Sequence, residues 1–218
     1  MRTINIPNSD LIVSTLCLGV ADMGTKIPWE TARQMLNTFE ASGGNFFDTA
    51  RVYAEWVPGG RHASEKALGR WLKERGNRDR VVVATKGAHP DLATMHIPRM
   101  SPEEIAADVD GSLSDLQTDR IDLWYLHRDD TARPVEEILE TLWTLVDAGK
   151  IRHIGCSNWT LERMEAANTY ATSKGRPGFV ANQPLWNAAV VNPDAFAGAG
   201  MVAMDEATKA WHEQTQTA

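Results

Sequence analysis

Six short apolar runs recur along the 218-residue chain, and their alternation with helix-like segments constrains the fold more than any other feature. The runs are TLCLGV, NFFDTA, RVVVATKG, RIDLWYLH, KIRHIGCSN and GFVANQP. Each run with its following helix takes roughly 30 to 40 residues, the length that a right-handed crossover between parallel strands needs. Because no linker or low-complexity segment interrupts the series, we predict parallel strands within a single domain over residues 1–218.

Start signals mark the helices between these runs. Ser101, Pro102 and Glu104 make the pattern of a capping box with proline at the first helical position, and Pro134 marks a later helix in a similar way. Thr160 is the expected N-cap of the helix after KIRHIGCSN. Ahead of the first run, INIPNSDLIVS is typical of a hairpin that turns at residues 8–10 and could close one end of a barrel.

An alternating series of this kind forms either an open doubly wound sheet or a closed barrel. The first strand–helix junction, LCLGVADMGTK, carries Gly19 and Gly24 but no G-x-G-x-x-G, and no P-loop occurs in the sequence. These glycine patterns are the usual nucleotide-binding signatures of open sheets. Their absence favours an α/β fold of the TIM-barrel type.

Charge and composition exclude several classes of function. The net charge of -7 argues against binding to duplex nucleic acid or to an anionic membrane, both of which need a basic face. We find no signal-peptide pattern and no apolar window of membrane-span length, so we predict a cytoplasmic protein. Cys17 and Cys156 lie inside apolar runs and are expected to be buried free thiols.

Polar side chains stand at the ends of the apolar runs. In a TIM-type barrel the chemistry lies at the C-terminal ends of the strands, so these side chains are candidates for one site. Tyr53 lies in the loop just above the second strand. The residues at the strand ends are Asp48, Lys86, His127, Ser157, Asn158, Asn182 and Gln183.

Four of these candidates suit the addition of hydride to a carbonyl group. A buried Asp48 needs a cationic partner, and Lys86 can supply it. The ammonium group would also make the phenol of Tyr53 a better proton donor near neutral pH. His127 could form a hydrogen bond to the same reacting oxygen. The hydride itself must come from a cofactor, because no side chain can supply one.

With these residues in place, the chain resembles the aldo-keto reductase family. The matching segments are GGNFFDTARVY, SEKALGRWL, VVVATKG, IDLWYLH, IRHIGCSN and ANQP, in family order and spacing. The resemblance implies a (β/α)8 barrel that uses NADPH without a Rossmann fold, although NADH stays possible. It implies that the four catalytic positions are Asp48, Tyr53, Lys86 and His127, and that the nicotinamide is held by Ser157, Asn158 and Gln183, the first two mainly through its carboxamide.

The chain departs from the family in length. Family members have eight strands, whereas this sequence supplies about six βα units, so we expect an incomplete barrel. The missing units carry, in the family, the aromatic that stacks on the nicotinamide and the basic groups that bind the adenosine phosphates. A six-stranded sheet leaves two strand edges unpaired. We favour association into a homo-oligomer through these edges, with closure by other elements or a truncated product of little activity as alternatives.

Two functions from different classes follow. The first is an NADPH-dependent reductase of an aldehyde, ketone or sugar carbonyl, with Tyr53 as the general acid. The alternative is a non-catalytic or weakly active barrel that serves as a regulatory or structural subunit, or a truncated inactive fragment.

The remaining polar and aromatic residues receive simpler interpretations. Arg120 and Arg128 flank the fourth run and are explained adequately by solvated salt bridges. Trp56, Trp159 and Trp186 could form an apolar rim around the substrate, or could pack against neighbouring helices. No histidines fall at metal-ligand spacing, so we predict no metal, and we expect loop or surface positions for His62, His89, His96, His153 and His212.

Overall fold

The computed structural model describes residues 1–188, 192 and 200–218. An N-terminal hairpin pairs β1 (Thr3–Asn5) with β2 (Ile12–Ser14) in antiparallel register, as the sequence predicts. Six parallel strands follow in spatial order along the chain and form a curled sheet, an incomplete TIM-type barrel. These strands are β3 (Leu18–Gly19), β4 (Phe46–Asp48), β5 (Val82–Gly87), β6 (Ile121–Leu126), β7 (Ile151–Cys156) and β8 (Ala181–Asn182).

Helices alternate with the strands of this sheet. They are α1 (Trp29–Ala41), α2 (Ala63–Arg75), α3 (Pro102–Leu116), α4 (Val135–Asp147), α5 (Leu161–Ser173) and α6 (Glu206–Thr215), with a short 3-10 turn at Arg78–Arg80. The predicted capping box of α3 is confirmed, because the Ser101 hydroxyl accepts from Glu104 N and the Glu104 carboxylate accepts from Ser101 N. Thr160 caps α5 as expected. Pro134 takes the N-cap position of α4, so that helix begins at the residue after it.

The pleat of the sheet separates two apolar cores. The larger core lies between the sheet and the helices and includes Trp71, Trp124 and Leu139. The smaller core lines the concave face, where Leu123 and other strand residues pack with the hairpin residue Val13. The hairpin lies by the N-terminal end of β4, because the backbone amide of Ser14 donates to the side chain of the residue before that strand. The opposite, C-terminal end of the sheet is therefore free of the hairpin.

The two sides of the sheet end differently. At β8, Ala218 donates to Val180 O at 2.9 Å and accepts from Asn182 N at 2.7 Å, the hydrogen-bond pattern of a parallel neighbour. One of the expected open edges is thus partly covered by the last described residues. On the far side of β3, no strand of the described residues pairs with the sheet. Association through these edges stays a prediction.

Two residue environments differ from or refine the sequence-based expectations. Cys156 is buried as predicted, but Cys17 is exposed, because it lies beside β3 at the border of the sheet, where no further strand covers it. Trp159 is a core residue packed against Phe179, whereas Trp56 and Trp186 are exposed. Among the described helices, none has both the length and the apolarity needed to cross a bilayer.

Candidate active site

The side-chain alternation of β5 directs Lys86 to the concave face of the sheet. Ala84 belongs to the inner core, and the next residue, Thr85, points outward and donates to Glu65 on α2 at 2.7 Å. Because strand side chains alternate between faces, Lys86 points inward like Ala84. It comes near the C-terminal end of the strand, where a barrel holds its functional groups.

The same periodicity places two more predicted residues on this face. Asp48 ends β4 and is paired in register with Ala84 of β5, so both residues point to the same side. His127 directly follows β6 and comes two residues after Tyr125, which belongs to the inner core. Three neighbouring strands therefore present an acid, an amine and an imidazole to one end of the concave face.

Asp48 and Lys86 form a buried ion pair. The Lys86 ammonium donates to both carboxylate oxygens of Asp48 at 2.7 Å and to Thr49 O at 2.8 Å. Lys86 is 1% exposed and Asp48 is 7% exposed. Burial tends to lower the pKa of Lys86, but the charge of Asp48 and the close approach of Tyr53 outweigh it and leave the pKa raised. The amine therefore remains a cation, and all three of its protons have acceptors.

Tyr53 lies over this pair. The Lys86 nitrogen is 4.7 Å from the centroid of the Tyr53 ring, and the ring centroids of Tyr53 and His127 are 5.7 Å apart in an edge-to-face arrangement. Asp48, Lys86, Tyr53 and His127 thus form an unbroken series of contacts. The four positions that the sequence suggested meet at one place, although their catalytic roles remain predictions.

His127 is a neutral imidazole in this environment. It is 7% exposed, and its pKa is held well below the ordinary value of 6.5, first by burial and then by the charges of Lys86 and Arg128 and by His89. Its Nδ1 atom is buried and has no hydrogen-bond partner among the described residues. A buried polar atom without a partner is costly, so this nitrogen is an unsatisfied group at the site.

His89 is a residue that sequence reasoning misplaced. It was expected in a loop or at the surface, but it is only 7% exposed, and its ring centroid lies 4.8 Å from that of His127. The cause is local: Ala88 has a φ of 57°, so the chain turns sharply after β5 and carries His89 toward His127. The ring is fixed by a 2.7 Å hydrogen bond between His89 Nδ1 and Pro90 O. Burial lowers the pKa of His89 as well.

The loop that carries Tyr53 is held to α2 and α3 by side-chain contacts of Thr49 and Arg51. The Thr49 and Ser64 hydroxyls are 2.6 Å apart, and the Arg51 guanidinium donates to Glu65 at 2.9 Å and to Asp115 at 2.8 Å. Glu65 is fully buried. The Thr-x-Arg and Ser-Glu segments both lie in the stretches that carry the family resemblance, and this spacing was the signal that could have predicted the contact.

Ser157, Asn158 and Gln183 are also brought together. The Ser157 hydroxyl donates to Gln183 O at 2.7 Å and accepts from Asn158 Nδ2 at 2.9 Å, while Asn158 Oδ1 accepts from Val202 N at 3.1 Å. Asn158 has a left-handed φ of 61°. In this arrangement the first two side chains stabilise the loops, whereas the exposed Gln183 side chain forms no hydrogen bond within the described residues. Their binding role stays a prediction.

The two arginines that flank β6 have different environments. Arg120 pairs with Asp79 at 2.6 Å and with Asp119 at 3.6 Å, as the sequence predicted. For Arg128 the prediction of a solvated salt bridge is wrong, because no carboxylate of the described residues lies within 4.0 Å of its guanidinium. The neighbouring Asp129 is bound instead by Arg163, through two hydrogen bonds of 2.9 Å.

Comparison with known proteins assigns the chain to a family. The model of the Aldo/keto reductase family matches residues 15–203. The chain belongs to the aldo/keto reductase family. That match covers all four residues of the contact series and the three residues near β7 and β8. In the part of the chain that the structure describes, no group of three or more His, Cys, Asp or Glu side chains could hold a metal ion.

The individual relatives of this family member are named as reductases and a dehydrogenase. The chain is 36% identical over 199 residues to norsolorinic acid reductase stcV of Emericella nidulans, covering 83% of this chain and 48% of the relative. It is 33% identical over 198 residues to an NADP(+) aryl-alcohol dehydrogenase of Phanerodontia chrysosporium, covering 83% and 50%. It is 34% identical over 197 residues to aldo-keto reductase ausK of Aspergillus calidoustus, covering 83% and 48%. The chain therefore spans about half the length of the curated relatives it matches.

Proposed function

We propose that this chain carries the catalytic groups of an NADPH-dependent reductase that acts on an aldehyde, ketone or sugar carbonyl, with Tyr53 as the general acid. The observation that supports the proposal best is the position of Lys86, which contacts the Asp48 carboxylate at 2.7 Å and lies 4.7 Å from the centre of the Tyr53 ring. A cation held between an acid and a phenol suits a site where negative charge develops on an oxygen.

Each side chain has a defined task in this proposal. Tyr53 donates its proton to the carbonyl oxygen as that oxygen becomes an alkoxide. Lys86 stabilises the phenolate that Tyr53 leaves behind, and Asp48 keeps Lys86 charged and oriented. When bound, NADPH supplies the hydride, which no side chain can provide.

His127 acts as a neutral hydrogen-bonding group. Its lowered pKa means that the imidazole carries no charge near pH 7, so it can orient the carbonyl oxygen without competing with Tyr53 as the proton source. His89 packs against its ring and restricts its orientation.

The residues fit a nicotinamide cofactor at one accessible point, the exposed side chain of Gln183 at the C-terminal end of the sheet. The Nδ1 atom of His127 is buried without a partner in the described part of the chain, so a bound molecule would reach it only after a local rearrangement. Ser157 and Asn158 would contribute only by exchanging some of their present hydrogen bonds. The alternative is that the chain uses NADH in place of NADPH. Comparing the dissociation constants of NADPH and NADH distinguishes the two.

Two linked measurements test the proposal. NADPH binding is followed by the change in cofactor fluorescence, and reduction of a panel of aldehydes and ketones is followed by the loss of NADPH absorbance. Tyr53→Phe is expected to lower kcat by about 10²- to 10⁴-fold, the usual contribution of general acid catalysis, with unchanged NADPH affinity. Tyr170→Phe is the matched control, because the Tyr170 hydroxyl lies on α5 and contacts Glu140.

The outcomes separate the two functions considered for this chain. If the wild type reduces a carbonyl compound and Tyr53→Phe has the same kcat, the assignment of Tyr53 as the general acid is refuted. NADPH binding without reduction of any carbonyl compound would favour the alternative of a non-catalytic barrel. Absence of NADPH and NADH binding at high micromolar cofactor would remove the reductase proposal for this chain.

A further inference from the structure

A cavity of about 500 Å³ is lined by Arg128, the residue that follows His127, and by none of Asp48, Tyr53, Lys86 and His127. It is formed by the loops after β5, β6 and β7 and by residues 200–202. Much of its lining is apolar, with Pro90, Met95 and Val202 among the contributing residues, and the charged residues Arg128 and Asp129 also line it. Cavities of this size accommodate a small organic molecule.

Arg128 is exceptional among the partly buried arginines of the described residues. Its Nη1 donates to His127 O at 2.9 Å, but its Nε is buried without a partner. All the other partly buried arginines in the described ranges have a carboxylate within 4.0 Å: Arg33, Arg51, Arg78, Arg99, Arg120, Arg133, Arg152, Arg163 and Arg176.

The two acids that follow Arg128 in the sequence pair with other arginines. Asp129 accepts two hydrogen bonds from Arg163, and Asp130 lies near Arg133. Burial lowers the pKa of Arg128 and the neighbouring Tyr53 opposes this effect, but an arginine remains protonated in proteins. An unpaired cation at an apolar cavity is costly unless a ligand supplies the anion.

The geometry points to Arg128 as the binding group for an oxyanion on the substrate, which makes the substrate an apolar carbonyl compound that also bears a carboxylate. This inference rests on the proposed reductase function. The guanidinium presents parallel N–H groups that match the two oxygens of a carboxylate. Arg128 directly follows His127 and is hydrogen-bonded to its carbonyl oxygen, so a carboxylate bound there would place the rest of the molecule next to the proposed reduction site.

Binding without cofactor tests this inference. The wild-type chain is titrated by isothermal calorimetry with 4-formylbenzoate and with its uncharged methyl ester. The carboxylate is expected to bind at least about tenfold more tightly than the ester, since hydrogen bonds to charged groups are worth about 1.5–3 kcal/mol and each 1.4 kcal/mol is tenfold. Arg128→Met should remove this preference and leave the affinity for the ester unchanged.

Two further variants keep the test decisive. Arg33→Met removes an arginine of α1 that pairs with Glu30, and it should bind both compounds like the wild type. Arg128→Lys keeps the charge without the parallel donors and should give an intermediate preference, which provides the readout if Arg128→Met does not fold. Equal binding of acid and ester by the wild type, or no binding of either, would overturn the inference.

A second anion source is distinguished by a separate titration. If Arg128→Met weakens NADPH binding but leaves the preference for 4-formylbenzoate intact, the guanidinium serves a cofactor phosphate and the inference is wrong. If the preference depends on Arg128 but no carbonyl is reduced, the anion site stands and the proposed function fails. If the chain reduces 4-formylbenzoate and its methyl ester equally well, the proposed reductase function stands and the anion site fails.

Discussion

Breaking the buried Asp48–Lys86 pair should destabilise the fold as well as the site. Lys86→Met leaves the Asp48 carboxylate 7% exposed and without the cation that now contacts both of its oxygens at 2.7 Å. Removal of one partner of a buried pair costs about 3–5 kcal/mol, because the remaining charge is uncompensated. For a chain of this size each 1 kcal/mol corresponds to about 2–4 °C, so we expect the Tm to fall by about 6–20 °C.

The double variant separates the ion pair from simple loss of packing. Asp48→Leu with Lys86→Met replaces both charges by apolar groups, and such a replacement is often neutral. Its cost should therefore be smaller than the sum of the two single variants by at least about 2 kcal/mol. Thermal and urea unfolding followed by circular dichroism gives all four free energies without any cofactor.

An exposed ion pair provides the control for this cycle. Lys150 contacts Asp110 at 2.6 Å, but both side chains reach solvent, so Lys150→Met should change the free energy of unfolding by no more than about 1 kcal/mol. The electrostatic basis of the proposed site is wrong if Lys86→Met lowers the free energy of unfolding no more than Lys150→Met does. It is also wrong if the losses of Asp48→Leu and Lys86→Met simply add up in the double variant, because the two charges would then not interact.

Two further predictions concern the groups around this pair. Because the pKa of His127 in the folded state lies well below 6.5, the unfolded chain takes up the proton first, and the free energy of unfolding should fall as the pH drops below about 6.5, by up to about 1.4 kcal/mol per pH unit. Urea unfolding between pH 7.5 and 5.0 measures this dependence, and His127→Asn should show a smaller change in the free energy of unfolding per pH unit. An unchanged pH dependence in His127→Asn would contradict the assignment. Glu65→Gln removes the charge that faces Arg51 at 2.9 Å and should lower the free energy of unfolding by about 1–3 kcal/mol in thermal unfolding. It should also lower kcat for any carbonyl compound that the wild type reduces. A variant with wild-type stability and kcat would show that this contact does not hold the Tyr53 loop.

The sequence predicted the features that depend on periodicity and on residue type. Strand alternation directs Asp48, Lys86 and His127 to the concave face because each comes two positions after a residue of the inner core, namely Phe46, Ala84 and Tyr125. The start of α3 was equally local, since Ser101 and Glu104 satisfy each other's backbone groups within a single turn. Such features need no knowledge of what lies across the fold.

The features that the sequence did not predict depend on where a loop carries a side chain. His89 could not be distinguished from a surface histidine, because its burial follows from the left-handed backbone of Ala88. Arg128 is followed by two aspartates, so a salt bridge was the natural expectation, yet Asp129 is bound by Arg163 of α5. Both cases were decided by tertiary partners that a single sequence does not reveal.

These unpredicted residues change the electrostatic character of the site. The chain has a net charge of -7, but the groups near His127 include the cations Lys86 and Arg128, and within the described residues only Lys86 of these two is paired with a carboxylate. This local excess of positive charge contributes to the low pKa of His127. The same excess would attract an anionic ligand to one end of an otherwise acidic protein. The charge of Arg128 thus adds to burial and to Lys86 in lowering the pKa of His127, and the same charge is the one proposed to bind an oxyanion, so Arg128→Met should raise the pKa of His127 and weaken oxyanion binding together.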